Sequence, residues 1–391
     1  VTLQLALATV MLGGAALLAR SLDRLEHQDT GFVSDHASVI DYAFDGNKFR
    51  ENLMGLLPEG DALVRRIRQI PGITAATQIV APPMLGNGVW VLRLQTDDPT
   101  MTDTASFPMI PTELAGAEYF KTFGVHIDHG RAFTDDDRAT SALVTIVSES
   151  AVRKLWPGQN PIGKRIRLPG FKSSDFGGGD GWRTVVGVAH DTHLRTLREA
   201  SPIVYLPSVQ SYWQGYVALR STVPLGELVP ALRQAGHDVD PTLELNAPRT
   251  MDQILDEPLA QPRVDTILMS GFSAVALLLA AIGLFGVMAS IVRDQTRELG
   301  IRIALGATPE RVRREVLARA AIIAGLGVIA GFLVAFVSAK LVTSLLFQVK
   351  PYDPLALGAA CAVLCIVAAV AAYIPARRAT TIDPVQALRS D

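Results

Sequence analysis

Two short runs put imidazole and carboxylate side by side: His126-Ile127-Asp128-His129 and His190-Asp191-Thr192-His193. Ring nitrogens and carboxylate oxygens are ligands for zinc-like ions, but a closed site needs three or four of them converging on one point. Two ligands three residues apart meet only part of that demand, and nothing in the sequence joins the two runs. Each lies beside a glycine or a predicted strand end, where His and Asp commonly serve as exposed turn residues, so no metal ligand is assigned. Asp135-Asp136-Asp137 lacks the alternating ligands and central glycine of an EF-hand loop, and an acidic turn that opens a helix is the simpler reading. Cys361 and Cys365, one helical turn apart in an apolar run, read as small packing residues rather than a metal or redox pair. Gly177-Gly178-Gly179 is not followed by the Lys-Ser/Thr of a phosphate cradle and reads as loop. The 391 residues hold no Gly-x-Ser-x-Gly elbow, no HExxH and no Walker A sequence, and His27, His36 and His237 stand alone. The chain is therefore expected to be non-catalytic, with no cofactor or metal site of its own.

The elements around these residues are dominated by apolar runs. Hydrophobic residues make up 49% of the chain and the mean hydropathy is +0.27. Residues 1–19, 267–292, 320–339 and 355–374 contain no Asp, Glu, Lys or Arg. About 20 apolar residues cross a hydrocarbon core as a helix, which satisfies its own backbone. Four transmembrane helices are therefore expected. No basic segment precedes the first run and no small-residue cleavage site follows it before Arg20 and Ser21, so it is expected to stay as a helix rather than be removed. The chain begins with Val1 rather than Met, compatible with an excised part of a longer protein or with a start codon read literally. The spans carry no ionisable residues that could relay protons, which disfavours a proton-driven carrier.

Charge sets the expected orientation. Residues 293–319 carry seven arginines against four acids, and Arg377, Arg378 and Arg389 follow the last span. The positive-inside rule places both segments in the cytoplasm, together with the two termini, and leaves 21–266 outside. That long segment holds 31 acids against 23 Lys and Arg and no cysteine, so it must be stable without a disulfide. Helical spacing appears over 61–69 and 113–123, and short β-rich runs over 143–147, 184–188, 203–206 and 216–219, which together predict an α+β domain. The expected divisions are a helix at 1–20, the extracytoplasmic domain at 21–266, and a permease domain at 267–391. The last contains helices at 267–292, 318–346 and 355–374, a cytoplasmic loop at 293–317 and a tail at 375–391.

The cytoplasmic loop is the most informative stretch. In Arg297-Glu298-Leu299-Gly300-Ile301-Arg302-Ile303-Ala304-Leu305-Gly306-Ala307, apolar residues interleave with charges and Gly306 is a natural helix stop. Thr308-Pro309-Glu310-Arg311 then supplies an N-cap and a first-turn proline for the third span. A short amphipathic helix at the cytoplasmic surface is expected, seated on anionic lipid or on a partner protein.

These residues carry a resemblance. Residues 297–317 are similar to the loop between the second and third spans of the FtsX/MacB-like permease family, and residues 373–391 to its C-terminal tail. Residues 119–124, 130–133, 156–164 and 185–188 resemble the periplasmic core domain of MacB type, and the order of one span, outer domain and three spans also fits. Within the family, the 119–133 region with Pro161-Ile162-Gly163-Lys164 looks closest to the large acidobacterial-type permeases that carry this unit twice, which would make this chain the C-terminal half of such a permease or a shortened relative.

The resemblance implies a bacterial inner-membrane permease that works with a separate cytoplasmic ABC ATPase, which binds the ATP. It also implies a homodimer or pairing with a second permease half, a periplasmic partner, and no nucleic acid. Glu298, Leu299, Gly300, Ile301, Arg302, Ala304 and Gly306 would form the coupling helix seated on the ATPase. Gly327 and Gly331, four apart, would permit close helix packing, with lipid-facing small residues as the alternative. The expected action is transmission rather than conduction, the second span moving the outer domain in export or mechanotransmission. A membrane-anchored sensor or binding module is the alternative, though one or two spans and a cytoplasmic output domain would suit it better. A periplasmic membrane-bound enzyme would need the missing catalytic sets. No residue names a cargo.

Overall fold

The computed structural model describes residues 1–44, 57–84, 90–101, 103–138, 140–170, 180–198, 200–210, 215–295, 298, 308–343 and 346–379. Among them the helices are α1 (Thr2–Glu26), α2 (Leu57–Arg68), α3 (Tyr119–Phe123), α4 (Glu149–Leu155), α5 (Leu225–Val239), α6 (Met251–Asp294), α7 (Pro309–Thr343) and α8 (Pro354–Ala379). The strands are β1 (Ala37–Ala43), β2 (Ile73–Ile79), β3 (Trp90–Arg93), β4 (Gln95–Thr96), β5 (Met109–Ala115), β6 (Ile127–Gly130), β7 (Val144–Ser148), β8 (Arg165–Arg167), β9 (Arg183–Ala189), β10 (Val204–Pro207), β11 (Tyr216–Ser221), β12 (Glu244–Leu245) and β13 (Arg249–Thr250). The chain divides into an α+β unit, Gln28–Pro258, and a helical unit, Val1–His27 with Leu259–Asp391.

The α+β unit is built on two sheets. The smaller runs β12-β1-β11-β2, with β13 also on β1, and its pairs are antiparallel. Helices α2 and α5 cover one face: Leu63, Val64 and Ile67 with Leu228, Leu232 and Ala235 bury against Ile40, Val217 and Leu219. The i, i+1, i+4 spacing on α2 is what an amphipathic helix needs to present one apolar stripe, while Arg65 and Arg66 remain exposed. The larger sheet runs β3-β5-β10-β7-β9-β8-β4, with β6 on β9, and mixes parallel and antiparallel pairs. Its strand β7 reads Val-Thr-Ile-Val-Ser and is buried throughout, as a β-branched run between two partners should be. The Ser148 hydroxyl then caps α4 by accepting from Ala151 N at 3.3 Å.

An aromatic cluster of Tyr119, Phe120, Phe123, Phe133 and Tyr205 forms another core, joined by Met251 and Ile254 from the first turn of α6. The helical reading of 113–123 is corrected here. Residues 113–115 belong to β5, with Glu113 opposite Tyr205 of β10, and helix begins only at Tyr119. The apolar spacing that resembled one helix is a strand and a helix in succession, separated by Gly116. Glu113 and Arg195 form an ion pair with both side chains almost fully buried.

In the helical unit, α1 packs on α7 and α8. Leu5 and Ala8 of α1 share a core with Ala280 of α6 and Leu364 of α8. Asp353 begins α8: its carboxylate accepts from Leu355 N and Ala356 N, each at 3.1 Å, and also pairs with Arg20 of α1. Near the same end of α1, Ser21 Oγ accepts from Phe347 N at 2.8 Å and Glu26 meets Arg263 at 2.8 Å. Polar contacts thus close this end of the bundle. Among the described residues, four helices are long and apolar enough to cross a membrane. Ile267, Phe272 and Leu278 on α6, Ile329 and Leu333 on α7, and Ile366 and Val370 on α8 stand exposed, an apolar surface fit for lipid or another protein rather than water.

Two of these helices extend well past the apolar runs. α6 has 44 residues, starting sixteen before residue 267, and α7 starts at Pro309, directly after Thr308. Hydropathy marks only the stretch a membrane would cover; backbone hydrogen bonding carries each helix further.

Candidate functional site

Of the residues assigned to a coupling helix, Leu299, Gly300, Ile301, Arg302, Ala304 and Gly306 lie outside the described residues, while Glu298 is helical and exposed. The base of that loop is well defined. Arg319 Nη1 of α7 donates to Gln295 Oε1 at 2.6 Å, and its Nη2 meets Glu315 at 3.1 Å. Beneath them, Leu284, Met288 and Val292 of α6 bury against Val316, Ala320 and Ala324 of α7 and Ala372 and Ala376 of α8. Movement at the foot of the loop must therefore be shared by α6, α7 and α8.

The two glycines of α7 contact α1. A Cβ built on Gly327 would lie 2.4 Å from Leu5 Cβ, and one on Gly331 would lie 2.5 Å from Thr9 Cβ and 2.8 Å from Ala6 O. The four-residue spacing puts both on one face, and the absent side chains let the two backbones approach. Gly325, on another face, has nothing within 4 Å. The pair Leu5 and Thr9 was not foreseen, because an apolar run in sequence does not say which of its faces meets a neighbour.

The two His/carboxylate runs prove to be adjacent. Strand β6 pairs with β9, and His190 N donates to His126 O at 2.9 Å. Ile127 lies opposite Ala189 but His129 opposite Val188, so Asp128 is the extra residue of a β-bulge. His190 Nδ1 lies 3.5 Å from Asp128 Oδ2 and 3.9 Å from Glu149 Oε2 of α4. The turn reading is thereby corrected: Asp128 is a half-buried strand residue, and Asp191 is structural, accepting from Ser150 N at 2.8 Å and pairing with Arg153. Burial alone would raise the Asp191 pKa; the donors from Ser150 and the Arg153 guanidinium outweigh it and hold the carboxyl below its usual range. Glu149 went unnoticed in the sequence, since twenty-one residues separate it from Asp128 and forty-one from His190.

The acidic triplet is also corrected, as it opens no helix. Asp137 accepts from Thr134 N at 2.9 Å and receives both Arg131 nitrogens, at 2.7 and 2.8 Å, closing a turn. Burial pushes its pKa up, but the Arg131 and Thr134 hydrogen bonds prevail and lower it. A depressed folded pKa stabilises the fold above the unfolded value near ~4, and that stability disappears as pH falls through the folded value. Asp137→Asn is expected to cost about 1–2 kcal/mol at pH 7 and to flatten the acid limb of a stability-against-pH curve. An unchanged acid limb would contradict it. Cys361 is half-buried and Cys365 exposed on α8, both as free thiols, and Gly177–Gly179 lie outside the described residues.

Comparison with known proteins covers both units. Residues 5–235 match the MacB-like periplasmic core domain and residues 270–384 the FtsX-like permease C-terminal domain. The pyoverdine export ATP-binding/permease protein PvdT of Pseudomonas putida is 29% identical over 275 residues, covering 67% of this chain and 40% of that protein. The macrolide export ATP-binding/permease protein MacB of Azoarcus sp. is 26% identical over 341 residues, covering 84% of this chain and 47% of that protein. The chain thus spans less than half the length of these two relatives. The crystal structure of the periplasmic region of MacB from Actinobacillus actinomycetemcomitans aligns with 59% of this chain and 95% of its own at 16% identity, with a TM-score of 0.38.

Proposed function

The chain belongs to the FtsX/MacB-like permease family, and from that premise we propose that it is the membrane subunit of an ABC-type exporter or mechanotransmission complex in a bacterial inner membrane. ATP is bound and hydrolysed by a separate cytoplasmic ATPase. The Arg-rich loop and both termini face the cytoplasm, and Gln28–Pro258 lies outside. The names of the relatives join an ATP-binding and a permease function, which supports an ATPase acting together with this permease. The subunit works as a pair, either with a copy of itself or with a second permease half.

One observation carries the reading: α6 is continuous over 44 residues. At 1.5 Å per residue it is about 66 Å long, roughly twice a hydrocarbon core of ~30 Å. Its first turn is buried in the aromatic core of the α+β unit through Met251 and Ile254. Its last turns are buried with α7 and α8 at the foot of the Arg-rich loop. An α-helix resists bending where each N–H is held to the residue four before it. Pro258 and Pro262 lack that N–H, so the stiff stretch of α6 runs from Arg263 to Asp294 and passes displacement on to the proline-bearing first turns. ATP-driven closure of the partner presses on 298–306, and α6 carries the displacement to the outer unit. No proton or ion pathway is required.

The test is to replace Gly300 with Trp and Arg302 with Glu and to co-purify the complex from membranes. Loss of ATPase association, or retained association with loss of the substrate-linked rise in ATP turnover, is the expected result. Association and turnover that both match the unsubstituted chain would remove the coupling role. Labelling of a cysteine at position 302 from outside intact cells would overturn the orientation.

A further inference from the structure

We propose that Asp128, Glu149 and His190 form a binding site for a divalent transition-metal ion of the zinc type. The three residues come from three separate segments: the bulge of β6, the start of α4, and the residue after β9. One ligand atom from each lies within 4.8 Å of the other two, the one group of three or more such side chains among the described residues. Ligands about 2.0–2.2 Å from a tetrahedral zinc stand roughly 3.4 Å apart. The observed 3.5 Å from His190 to Asp128 and 3.9 Å from His190 to Glu149 need only small side-chain adjustments to reach that spacing.

The backbone holds the set in place. A bulge inserts one residue and re-aims its side chain, and the inserted residue here is Asp128. The hydrogen bond from His190 N to His126 O holds the His190 backbone beside that bulge. Asp191 accepts from Ser150 N and pairs with Arg153, which ties the start of α4, and so Glu149, beside His190. Sequence neighbours of the ligands thus act as positioning residues.

Charge points the same way. Two carboxylates face one imidazole; Arg153 pairs with Asp191 and also lies 3.9 Å from Glu149 Oε2, a partly exposed contact that a bound cation would replace. Asp128 Oδ2 is a buried atom with no hydrogen-bond partner among the described residues. A carboxylate oxygen shielded from water and without a donor is costly, and a cation removes that cost. One imidazole with two carboxylates suits zinc and its first-row neighbours better than calcium or magnesium, which prefer all-oxygen shells. Three protein ligands leave a fourth position open, for water or for a donor from elsewhere. His126, whose Nε2 lies 3.9 Å from the other Asp128 oxygen, is within reach of that position.

The competing arrangement is a protonated His190 held between two carboxylates without metal, and the test separates the two. The full chain is purified in detergent in a Cys361→Ser/Cys365→Ser background, so that the thiols do not compete, and is stripped with chelator. Zinc chloride is then titrated while tryptophan fluorescence follows thermal unfolding; positions 90, 156, 182 and 213, the four tryptophans, all fall within the α+β unit. A ligand that binds the folded state alone raises the melting temperature with its concentration. The expected result is a saturable rise at one zinc per chain. Asp128→Asn and His190→Ala should each weaken it at least ~10-fold, the smallest effect seen even for outer-shell losses at metal sites. Glu149→Gln, an isosteric change at a half-exposed residue, should weaken it likewise with the least disturbance of the fold, and His237→Ala should change nothing. No zinc-dependent rise up to millimolar concentration, or a rise that Glu149→Gln and Asp128→Asn leave intact, would overturn the site.

Discussion

Arg195→Met is expected to destabilise the α+β unit by about 3–5 kcal/mol, the usual cost of leaving one member of a buried ion pair alone. Glu113 is 1% exposed and Arg195 7%. Glu113 also accepts from Val80 N at 3.3 Å, so its carboxylate ties β5 to the residue after β2. Burial draws the Arg195 pKa down to about 10, still far above neutrality, so the guanidinium stays charged and balances the carboxylate. Removing it strands a negative charge beside Tyr205 in an aromatic core. Because all four tryptophans lie in this unit, urea unfolding followed by tryptophan fluorescence reads it without interference from the helical unit. The double variant Glu113→Gln/Arg195→Met, with both charges gone, should recover most of the loss, and the shortfall from additivity measures the pair. A loss below about 1 kcal/mol for the single variant would mean that water reaches the pair, as it does for exposed ion pairs.

The second large effect is expected at the α1–α7 contact. Gly331→Ala puts a methyl group 2.8 Å from Ala6 O, a backbone atom that cannot rotate away, and 2.5 Å from Thr9 Cβ. The helices must separate, and overpacking of this kind costs about 1–3 kcal/mol. Gly327→Ala meets Leu5 Cβ at 2.4 Å and should behave alike. Gly325→Ala is the counter-case: it meets nothing within 4 Å and should be neutral or stabilising by up to ~1 kcal/mol, the ordinary gain of alanine over glycine in a helix. The opposite signs come from positions only two to six residues apart on one helix. Heating in detergent with a thiol-reactive fluorophore reports the helical unit, using half-buried Cys361 in a Cys365→Ser background. Equal behaviour of the three variants would show that α1 does not rest on that face of α7.

Both effects arise where the chain brings distant residues into contact. Their sites differed in how far the sequence revealed them. Gly327 and Gly331 were visible as a spaced pair in an apolar run, because helical periodicity is a local property. Their partners on α1 were not, since nothing in that largely apolar run marks which face meets a neighbour. Glu113 and Arg195 gave no signal, being eighty-two residues apart and each ordinary in its neighbourhood. Glu113 even fell within a stretch whose spacing read as helix. The strand won because β10 lies parallel to β5 and supplies the hydrogen bonds. The four β-rich runs at 143–147, 184–188, 203–206 and 216–219 were legible because branched residues bounded by breakers need no partner to be recognised.

By itself, the sequence determined that four helices are apolar enough for a membrane, that a mixed α+β segment is inserted after the first, and which motifs place the chain in its family. Those properties follow from composition and short-range spacing, which each segment carries alone. Only the tertiary structure decided that α6 runs unbroken from a buried first turn to the foot of the Arg-rich loop. It also joined two histidine-bearing runs, sixty-four residues apart, at the bulge of β6 beside a glutamate with no motif of its own. Strand register and helix packing are set by long-range burial and backbone pairing, whose partners no local pattern can name.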